Sequence, residues 1–327
     1  MLESIEHIVP TPATETQLKV AVLIPCFNEE VAIARVVEGF RRALPEAMMF
    51  VYDNNSTDDT IVVARAAGAI VRSEPLQGKG NVVRRMFSDI DADVYVLVDG
   101  DATYDPESSR EMVDRLIEEQ LDMVVGCRTS GNPDGAYRRG HQLGNVMLTR
   151  AVAGLFGNRF TDILSGYRVF SKRFVKSFPA LAKGFETETE LTIHALELGM
   201  PIAEVATPYA SRPEGSTSKL RTYKDGLRIL RTIVRVYRNE RPMAFFGSAG
   251  TLLFLLSVGL AWPLVITYLE TGLVPRLPTA VLATGMMILA FLSLACGLIL
   301  DTVTQGRREA RRLAYLGFKP VASDGTQ

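Results

Sequence analysis

Histidine, cysteine and tryptophan are scarce in this chain of 327 residues, with three, three and one copies. Cys26, Cys127 and Cys296 lie far apart, without metal-ligand spacing or a disulfide framework, which suits a reducing compartment. Their expected place is inside, as small apolar side chains. His7, His141 and His194 fall into no zinc or relay pattern. An excess of one charge is also lacking. The 36 basic and 37 acidic residues leave a net charge of −1, without the basic surplus of a general nucleic-acid binder. No basic-then-apolar signal stands at the N-terminus, and residues 1–17, polar and proline-containing, are expected to be a loose tail. Internal repeats are not evident. The length allows one to two domains and a sizeable core.

Uncharged apolar sequence is abundant, but only near the C-terminus. Pro242 to Leu269 is a run of 28 residues without a charge, and Leu277 to Leu300 a run of 24. Each exceeds the roughly 20 residues a bilayer-spanning helix needs. Seven residues, Glu270 to Arg276, separate them, so the expectation is a transmembrane helical hairpin over 242–303. Arg231, Arg235, Arg238 and Arg241 precede the first run, and Arg307, Arg308, Arg311 and Arg312 follow the second. Arg276 is the only cation between them. The positive-inside rule then puts the N-terminal region and both chain ends, including a tail over 304–327, in the cytoplasm. Just before the first run, Leu220, Tyr223, Leu227, Leu230, Val234 and Tyr237 recur at helical spacing, with a basic row shifted by one. Residues 220–241 therefore read as an amphipathic juxtamembrane helix in the interface with anionic lipid. An ordinary surface helix packed on the preceding domain is the plainer alternative.

Residues 19–127 alternate between short β-rich apolar runs and helix-like stretches. The runs are 19–25, 48–53, 69–72, 93–98 and 122–127. Such alternation implies an α/β fold with a mainly parallel sheet. Ligands then gather at the carboxyl ends of the strands. Polar clusters fall at those ends: 26–30, 53–58, 99–105 and Arg128. Helix caps explain some of them, such as Thr57 and Asp58. They explain Asp99-Gly100-Asp101 less well. Two carboxylates one residue apart on a strand tip form a hard oxygen site, suited to Mg²⁺ or Mn²⁺ against the phosphates of a nucleotide.

Taken in order, the motifs are Ile24-Pro25-Cys26-Phe27-Asn28-Glu29-Glu30, Asp53 to Thr60, Gln77-Gly78-Lys79-Gly80-Asn81, Asp99-Gly100-Asp101, Gly126-Cys127-Arg128, Ser165-Gly166-Tyr167-Arg168 and Arg212 to Lys219. The series resembles a family 2 glycosyltransferase of the GT-A fold. More narrowly, it looks like the polyprenyl-phosphate glycosyltransferases, the group of dolichyl-phosphate mannose synthase and its bacterial relatives. The resemblance covers a catalytic domain over 18–219, and the two-span hairpin resembles bacterial members.

The resemblance implies an enzyme that moves a hexose from a nucleotide sugar, UDP- or GDP-linked, to a polyprenyl phosphate. Transfer would be inverting and metal-dependent, on the cytoplasmic face of the inner membrane. The donor would be held by Pro25, Asn28, Glu29, Asp53, Lys79, Asp99, Gly100 and Asp101, with Arg212 and Lys219 closing on its diphosphate from a lid. Asp99 and Asp101 would hold Mg²⁺ or Mn²⁺. Asp99, Asp101 and Arg128 would be catalytic, and Arg128 with Arg138 or Arg139 would grip the acceptor phosphate. Arg168 is a weaker candidate. Asn54 and Asn55 replace a more usual Asp-Gly, and Asn tolerates the same left-handed turn. Gly78 and Gly80 would let backbone approach the ligand. An anionic acceptor needs no general base, which agrees with the missing triad. Asp162 could serve as base for a hydroxyl acceptor; as a cap or a partner of Arg168 it has a plainer role. Glu188, heading a helix, is a marginal candidate. Membrane lipids are expected partners, nucleic acid is not, and relatives suggest a homo-oligomer, a tetramer in bacteria. Two other readings stay open: a processive polysaccharide synthase, disfavoured because the only tryptophan, Trp262, lies in the first apolar run, and an inactive membrane scaffold.

Overall fold

The computed structural model describes residues 18–129, 149–150, 152–154, 160–182, 186–212, 231 and 233–321. The expected alternation is present as β1 (Val20–Cys26), α1 (Ile33–Ala43), β2 (Met48–Asp53), α2 (Thr60–Ala66), β3 (Ile70–Ser73), α3 (Lys79–Asp89), β4 (Val94–Leu97), α4 (Ser108–Glu118) and β5 (Met123–Thr129). Then come β6 (Arg168–Ser171), α5 (Lys172–Ser177), α6 (Thr187–Leu198) and β7 (Ile202–Pro208). Two long helices end the chain, α7 (Pro242–Thr271) and α8 (Leu277–Leu316).

The strands form one sheet of seven in the order β3-β2-β1-β4-β6-β5-β7. β1 pairs in parallel with β2 and β4, β2 with β3, and β5 with β7. β6 alone runs against both neighbours, β4 and β5. The continuous apolar runs of β1 and β4 follow from cover on both faces. On one face Leu23, Tyr95 and Phe170 pack with Met86 of α3, Phe174 of α5 and Leu191 of α6. On the other, Ile24 and Val96 pack with Val37 of α1 and Leu116 of α4. The parallel strands therefore end together at one edge. Because β6 runs the other way, it starts at that edge, and the Ser165-Gly166-Tyr167-Arg168 motif is delivered there.

The two terminal helices are each long and apolar enough to cross a membrane. Their most apolar stretches are only 11 % and 17 % buried, unlike core helices of a water-soluble domain. They pack on each other through a seam with a period of seven: Gly250, Ser257 and Leu264 against Ala283, Ala290, Gly297 and Thr304. The Ser257 hydroxyl donates to the Ala283 carbonyl at 2.7 Å, and Ser293 to the Phe246 carbonyl at 2.8 Å. A Cβ on Gly250 would stand 3.0 Å from the Ala290 carbonyl oxygen. Small residues and hydroxyls thus bring the two backbones together, as in membrane helix pairs.

Two segments differ from expectation. Residues 304–316, expected as the start of a tail, continue α8 without a break. Of the amphipathic segment 220–241, the stretch 233–240 is helical, and residues 213–230 and 232 lie outside the described residues. Ile233 packs on the domain core, while Val234 and Tyr237 are exposed.

Candidate functional site

At the C-terminal edge of the sheet, the loops after β1 and β2 are sewn together by side chains. Cys26 and Asp53, the last residues of the two strands, sit in register. Asn28 takes a positive φ of 53°, its amide N–H donates to the Ser56 hydroxyl at 2.8 Å, and its side-chain oxygen accepts from the Thr57 N–H at 2.8 Å. Glu29 is buried, and its N–H donates to the Thr60 hydroxyl at 2.9 Å. The buried Asp53 carboxylate accepts from the Ser56 N–H at 3.1 Å. Pro25 lies opposite Tyr52 within the pair. The four residues expected at the base and ribose are thus one assembly, already braced by its own hydrogen bonds.

Asn54 and Asn55 do different things. Asn55 has the left-handed backbone, with φ 66°. Asn54 is buried and reaches across to the loop before α3. Its amide donates to the carbonyls of Glu74 and Leu76, both at 2.9 Å, and its oxygen accepts from the Gly78 N–H at 2.7 Å. Gly78 needs its φ of 126°, a region closed to other residues. Gly80 makes its close approach to the protein itself: a Cβ there would meet the Ala182 carbonyl carbon at 2.7 Å and the Thr187 hydroxyl at 2.8 Å. This corrects the expectation that Gly80 opens space for a ligand.

Lys79, the first residue of α3, is neither solvated nor in a turn. Its ammonium bridges the carboxylates of Asp99 and Glu188, the latter at 2.5 Å. Burial alone would pull its pKa down, but the two carboxylates outweigh burial and hold it above the ordinary lysine value. Glu188, marginal on sequence grounds, is therefore a counter-charge at the centre of the site. Gly166 presses against the other side of Asp99, where a Cβ would lie 2.9 Å from the carboxyl carbon. Gly100 is equally required, because a Cβ there would meet the Cys26 sulfur at 2.6 Å.

Asp101 is buried and held from two directions. One oxygen accepts from the Thr103 hydroxyl at 2.6 Å and its N–H at 3.2 Å, and the other meets the Arg212 guanidinium at 2.7 Å. Arg212 gets there because β7 continues past the site: Tyr209 bridges Tyr104, and the Ala210 N–H donates to the Thr103 carbonyl at 2.9 Å. Arg128, near the end of β5, binds Asp162 through Nε at 2.6 Å and Nη2 at 2.7 Å, and stacks over the Tyr209 ring at 5.6 Å. Asp162 is therefore the partner of Arg128 and not of Arg168, a correction to the sequence reading. With both carboxylate oxygens bound to one guanidinium, it is poorly placed to take a proton from an acceptor. Arg168 is fully buried and donates to the Ser165 carbonyl at 3.0 Å, the Ile163 carbonyl at 2.6 Å and the Thr192 hydroxyl at 2.9 Å. Burial lowers its pKa. It braces the loop that carries Asp162 and Gly166, and it cannot reach a phosphate at the surface. Arg138, Arg139 and Lys219 lie outside the described residues.

The edge therefore carries paired charges of both signs. Lys79 with Asp99 and Glu188, Arg212 with Asp101, and Arg128 with Asp162 all stand around the C-terminal ends of the parallel strands, on strand ends, loops and helix starts. Sequence reasoning missed Asn54 and Gly166 as parts of the frame. The signal for Gly166 was its position between Ser165 and a strand that had to start at the site. Asn54 carried none, because its partners are backbone atoms 20 or more residues away. Cys127, beside Arg128, is no nucleophile: burial pushes its thiol up to about 12.

Among the described residues, no three His, Cys, Asp or Glu side chains come together as a metal cluster. The carboxylates that could offer oxygens to a cation at this edge are Asp99, now paired with Lys79, and Asp101, now paired with Arg212. That set fits a small hard cation that keeps phosphate oxygens and water for its other ligands.

Three comparisons bear on this site. The glycosyl transferase family 2 model matches residues 21–178, from β1 to the end of α5. Glycosyltransferase AglJ of Haloferax volcanii is 35 % identical over 253 residues, covering 77 % of this chain and 81 % of that protein. The dolichyl-phosphate hexose transferase of the same organism is 30 % identical over 221 residues, covering 68 % and 95 %. Among solved structures, glucosyl-3-phosphoglycerate synthase from Mycobacterium tuberculosis, in complex with Mn²⁺, UDP and glucosyl-3-phosphoglycerate, superposes with a TM-score of 0.55 over 68 % of this chain and 80 % of that one. At 24 % identity this likeness establishes the fold, a GT-A-like α/β domain. With its strand-end motifs, its sheet order and these relatives, the chain belongs to glycosyl transferase family 2.

Proposed function

We propose that this transferase moves a hexose from a nucleotide sugar to a polyprenyl phosphate at the cytoplasmic face of a membrane, with inversion at the anomeric carbon. The observation that carries the reading is the convergence of Lys79–Asp99, Arg212–Asp101 and Arg128–Asp162 at one sheet edge, in a chain that goes on into two long apolar helices. The relative named a dolichyl-phosphate hexose transferase supports a lipid-phosphate acceptor. So do exposed Val234 and Tyr237 on the basic helix that leads into α7.

The residues divide the work. The braced loops after β1 and β2, with Asp53, Asn28 and Glu29, receive the nucleoside. Asp99 and Asp101 would hold Mg²⁺ or Mn²⁺, which supplies charge neutralisation on the departing diphosphate. Arg212 leads into the segment that contains Lys219, and both would add positive charge around that diphosphate. Arg128 is held rigid by Asp162 and Tyr209, so it can orient an acceptor phosphate in line with the anomeric carbon. A phosphate oxygen of the acceptor forms the new bond to that carbon as its bond to the diphosphate breaks. The acceptor is already anionic, so no side chain needs to take a proton. The product is a β-linked lipid-phosphate sugar.

The test is a donor screen with full-length protein in vesicles containing undecaprenyl phosphate, using UDP- and GDP-hexoses with Mg²⁺ or Mn²⁺. The expected result is sugar in the lipid phase with equal release of nucleoside diphosphate, abolished by EDTA. A protein that binds donors yet releases no nucleoside diphosphate with any acceptor would overturn the reading.

A further inference from the structure

α8 does not stop where its apolar stretch ends. The uncharged run closes at Leu300, and the helix continues for 16 more residues to Leu316. That length is about 24 Å of helix. Along it, α8 docks on the catalytic domain through polar contacts. Thr304 and Arg307 donate to the Asn239 carbonyl, at 3.2 and 3.0 Å. Arg308 donates to the Glu240 carbonyl at 2.9 Å and pairs with the Glu240 carboxylate at 3.2 Å. These contacts tie the segment leaving α8's apolar stretch to the segment entering α7. One to two turns further on, Arg308 and Arg311 grip the two oxygens of Glu197, the former at 3.1 Å. At the last turn, the Tyr315 hydroxyl donates to Asp122 at 2.8 Å, and the Arg173 guanidinium lies 4.9 Å from the Tyr315 ring.

The carboxylates that receive these groups belong to the framework of the site. Glu197 is in the last turns of α6, the helix whose first turn carries Glu188. Asp122 is the residue before β5, the strand that ends in Arg128 and Thr129. Both side chains are fully buried, Asp122 with Ser171 and Arg173 as further partners. A mobile tail would not bury two carboxylates, because a buried charge is tolerated only with fixed partners. The helix has no proline between Asp301 and Leu316, so it transmits position from the apolar hairpin to the domain as one body.

We propose that the polar half of α8 is a positioning strut, with Glu197–Arg308/Arg311 and Asp122–Tyr315 as its fixing points. It holds the catalytic edge at a set height and angle to the bilayer, so that a phosphate borne on a membrane lipid meets the donor. It acts on acceptor delivery and touches no reacting atom. The inference rests on the lipid-phosphate reading above.

The test compares two acceptors with one donor, the hexose nucleotide the wild-type protein uses. One acceptor is undecaprenyl phosphate in phosphatidylethanolamine–phosphatidylglycerol vesicles; the other is water-soluble citronellyl phosphate. In Glu197→Arg, turnover of the vesicle acceptor is expected to fall about tenfold or more through lost alignment, with the soluble acceptor within about twofold. The charge swap Glu197→Arg with Arg311→Glu is expected to restore the vesicle acceptor. Tyr315→Phe removes one hydrogen bond from the same docking surface, and serves if the charge variant does not fold; its vesicle turnover alone is expected to fall, about threefold. Equal losses with both acceptors, or no loss with either, would overturn the strut. If the wild-type protein transfers to neither acceptor, the lipid-phosphate reading has failed, and the strut as an acceptor-positioning device fails with it.

Discussion

At the tip of β5, Arg128 stacks over the Tyr209 ring and binds Asp162; at its foot, Asp122 is held by Arg173, Ser171 and Tyr315. Both ends of the strand thus carry a carboxylate and an arginine stacked on a tyrosine. Their surroundings differ. At the foot the acid is sealed, with no exposed side-chain surface, and its partners come from regular helices and strands. Around the tip the cations are Lys79 at the start of α3, Arg128 near the end of β5 and Arg212 beyond β7. Asp162 is 9 % exposed, and Asp99, just after β4, keeps about a third of its side chain exposed. The foot pairs fix parts of the protein to each other. The tip pairs hold charges in place that, in the proposed reaction, a diphosphate or a phosphate would share. An ion pair therefore says little about function until the mobility and exposure of its partners are known.

Substitutions at the two ends should separate turnover from stability. The largest effect is expected from Asp101→Ala, which removes a carboxylate proposed to hold the metal and should cut transfer by about 10³-fold. Its melting temperature should stay near that of the wild type, and metal titration followed by intrinsic fluorescence should show weakened Mn²⁺ binding. A wild-type rate would erase the distinction between tip and foot. Next, Arg128→Ala should reduce turnover by about 10²-fold, chiefly through acceptor use, because the orienting cation is gone. A change confined to donor KM would move Arg128 to the other side of the reaction. Gly166→Ala is smaller and sharper. Its methyl group must displace Asp99, costing about 1–3 kcal/mol of strain and about tenfold in kcat. A variant with wild-type kcat would mean that Asp99 has room to move.

The smallest effect belongs to the foot. His194 of α6 is buried against Phe174 and Phe178, with Nε2 3.0 Å from the Ser177 hydroxyl. Burial, helped by the nearby Arg311 charge, lowers its pKa to about 3. An unfolded histidine titrates near 6.5, so between these values the unfolded chain binds the extra proton. This contribution to stability is complete above about pH 6.5 and is lost as the pH falls toward 3, by at most about 1.4 kcal/mol per unit. In denaturation at pH 7, 6 and 5, His194→Leu should show a shallower acid loss than the wild type. An unchanged slope would rule His194 out as the source.

The fold was legible because parallel strands buried on both faces leave continuous apolar runs, and the polar clusters mark their ends. The places of Asp99, Asp101 and Arg128 were readable for the same reason, since each lies at or just beyond a strand end; their chemical roles belong to the proposal. The pairings were not. Asp162 looks from sequence like a partner for Arg168, six residues on, yet the fold turns Arg168 inward and gives Asp162 to Arg128, 34 residues back. Glu188 reads as a helix-dipole residue until α6 is brought against the start of α3. The polar half of α8 looked like a tail because the change from apolar to basic residues marks an end of hydrocarbon, not an end of helix. The seven-residue seam of Gly250, Ser257 and Ala290 was hidden by the uniform apolarity around it.

That seam has a consequence for the lipid itself. The uncharged stretch of α7 has 28 residues, about 42 Å of helix against a hydrocarbon core of about 30 Å. A span too long for its bilayer leans, and here neither helix can lean by itself, because the two backbones are in contact at Gly250 and Ala290. With α8 anchored at Glu197 and Asp122, the proposed strut would pass such a lean to the catalytic domain. In the membrane-spanning arrangement proposed above, a thinner bilayer would therefore lean the two helices as a pair, and a thicker one would set them upright.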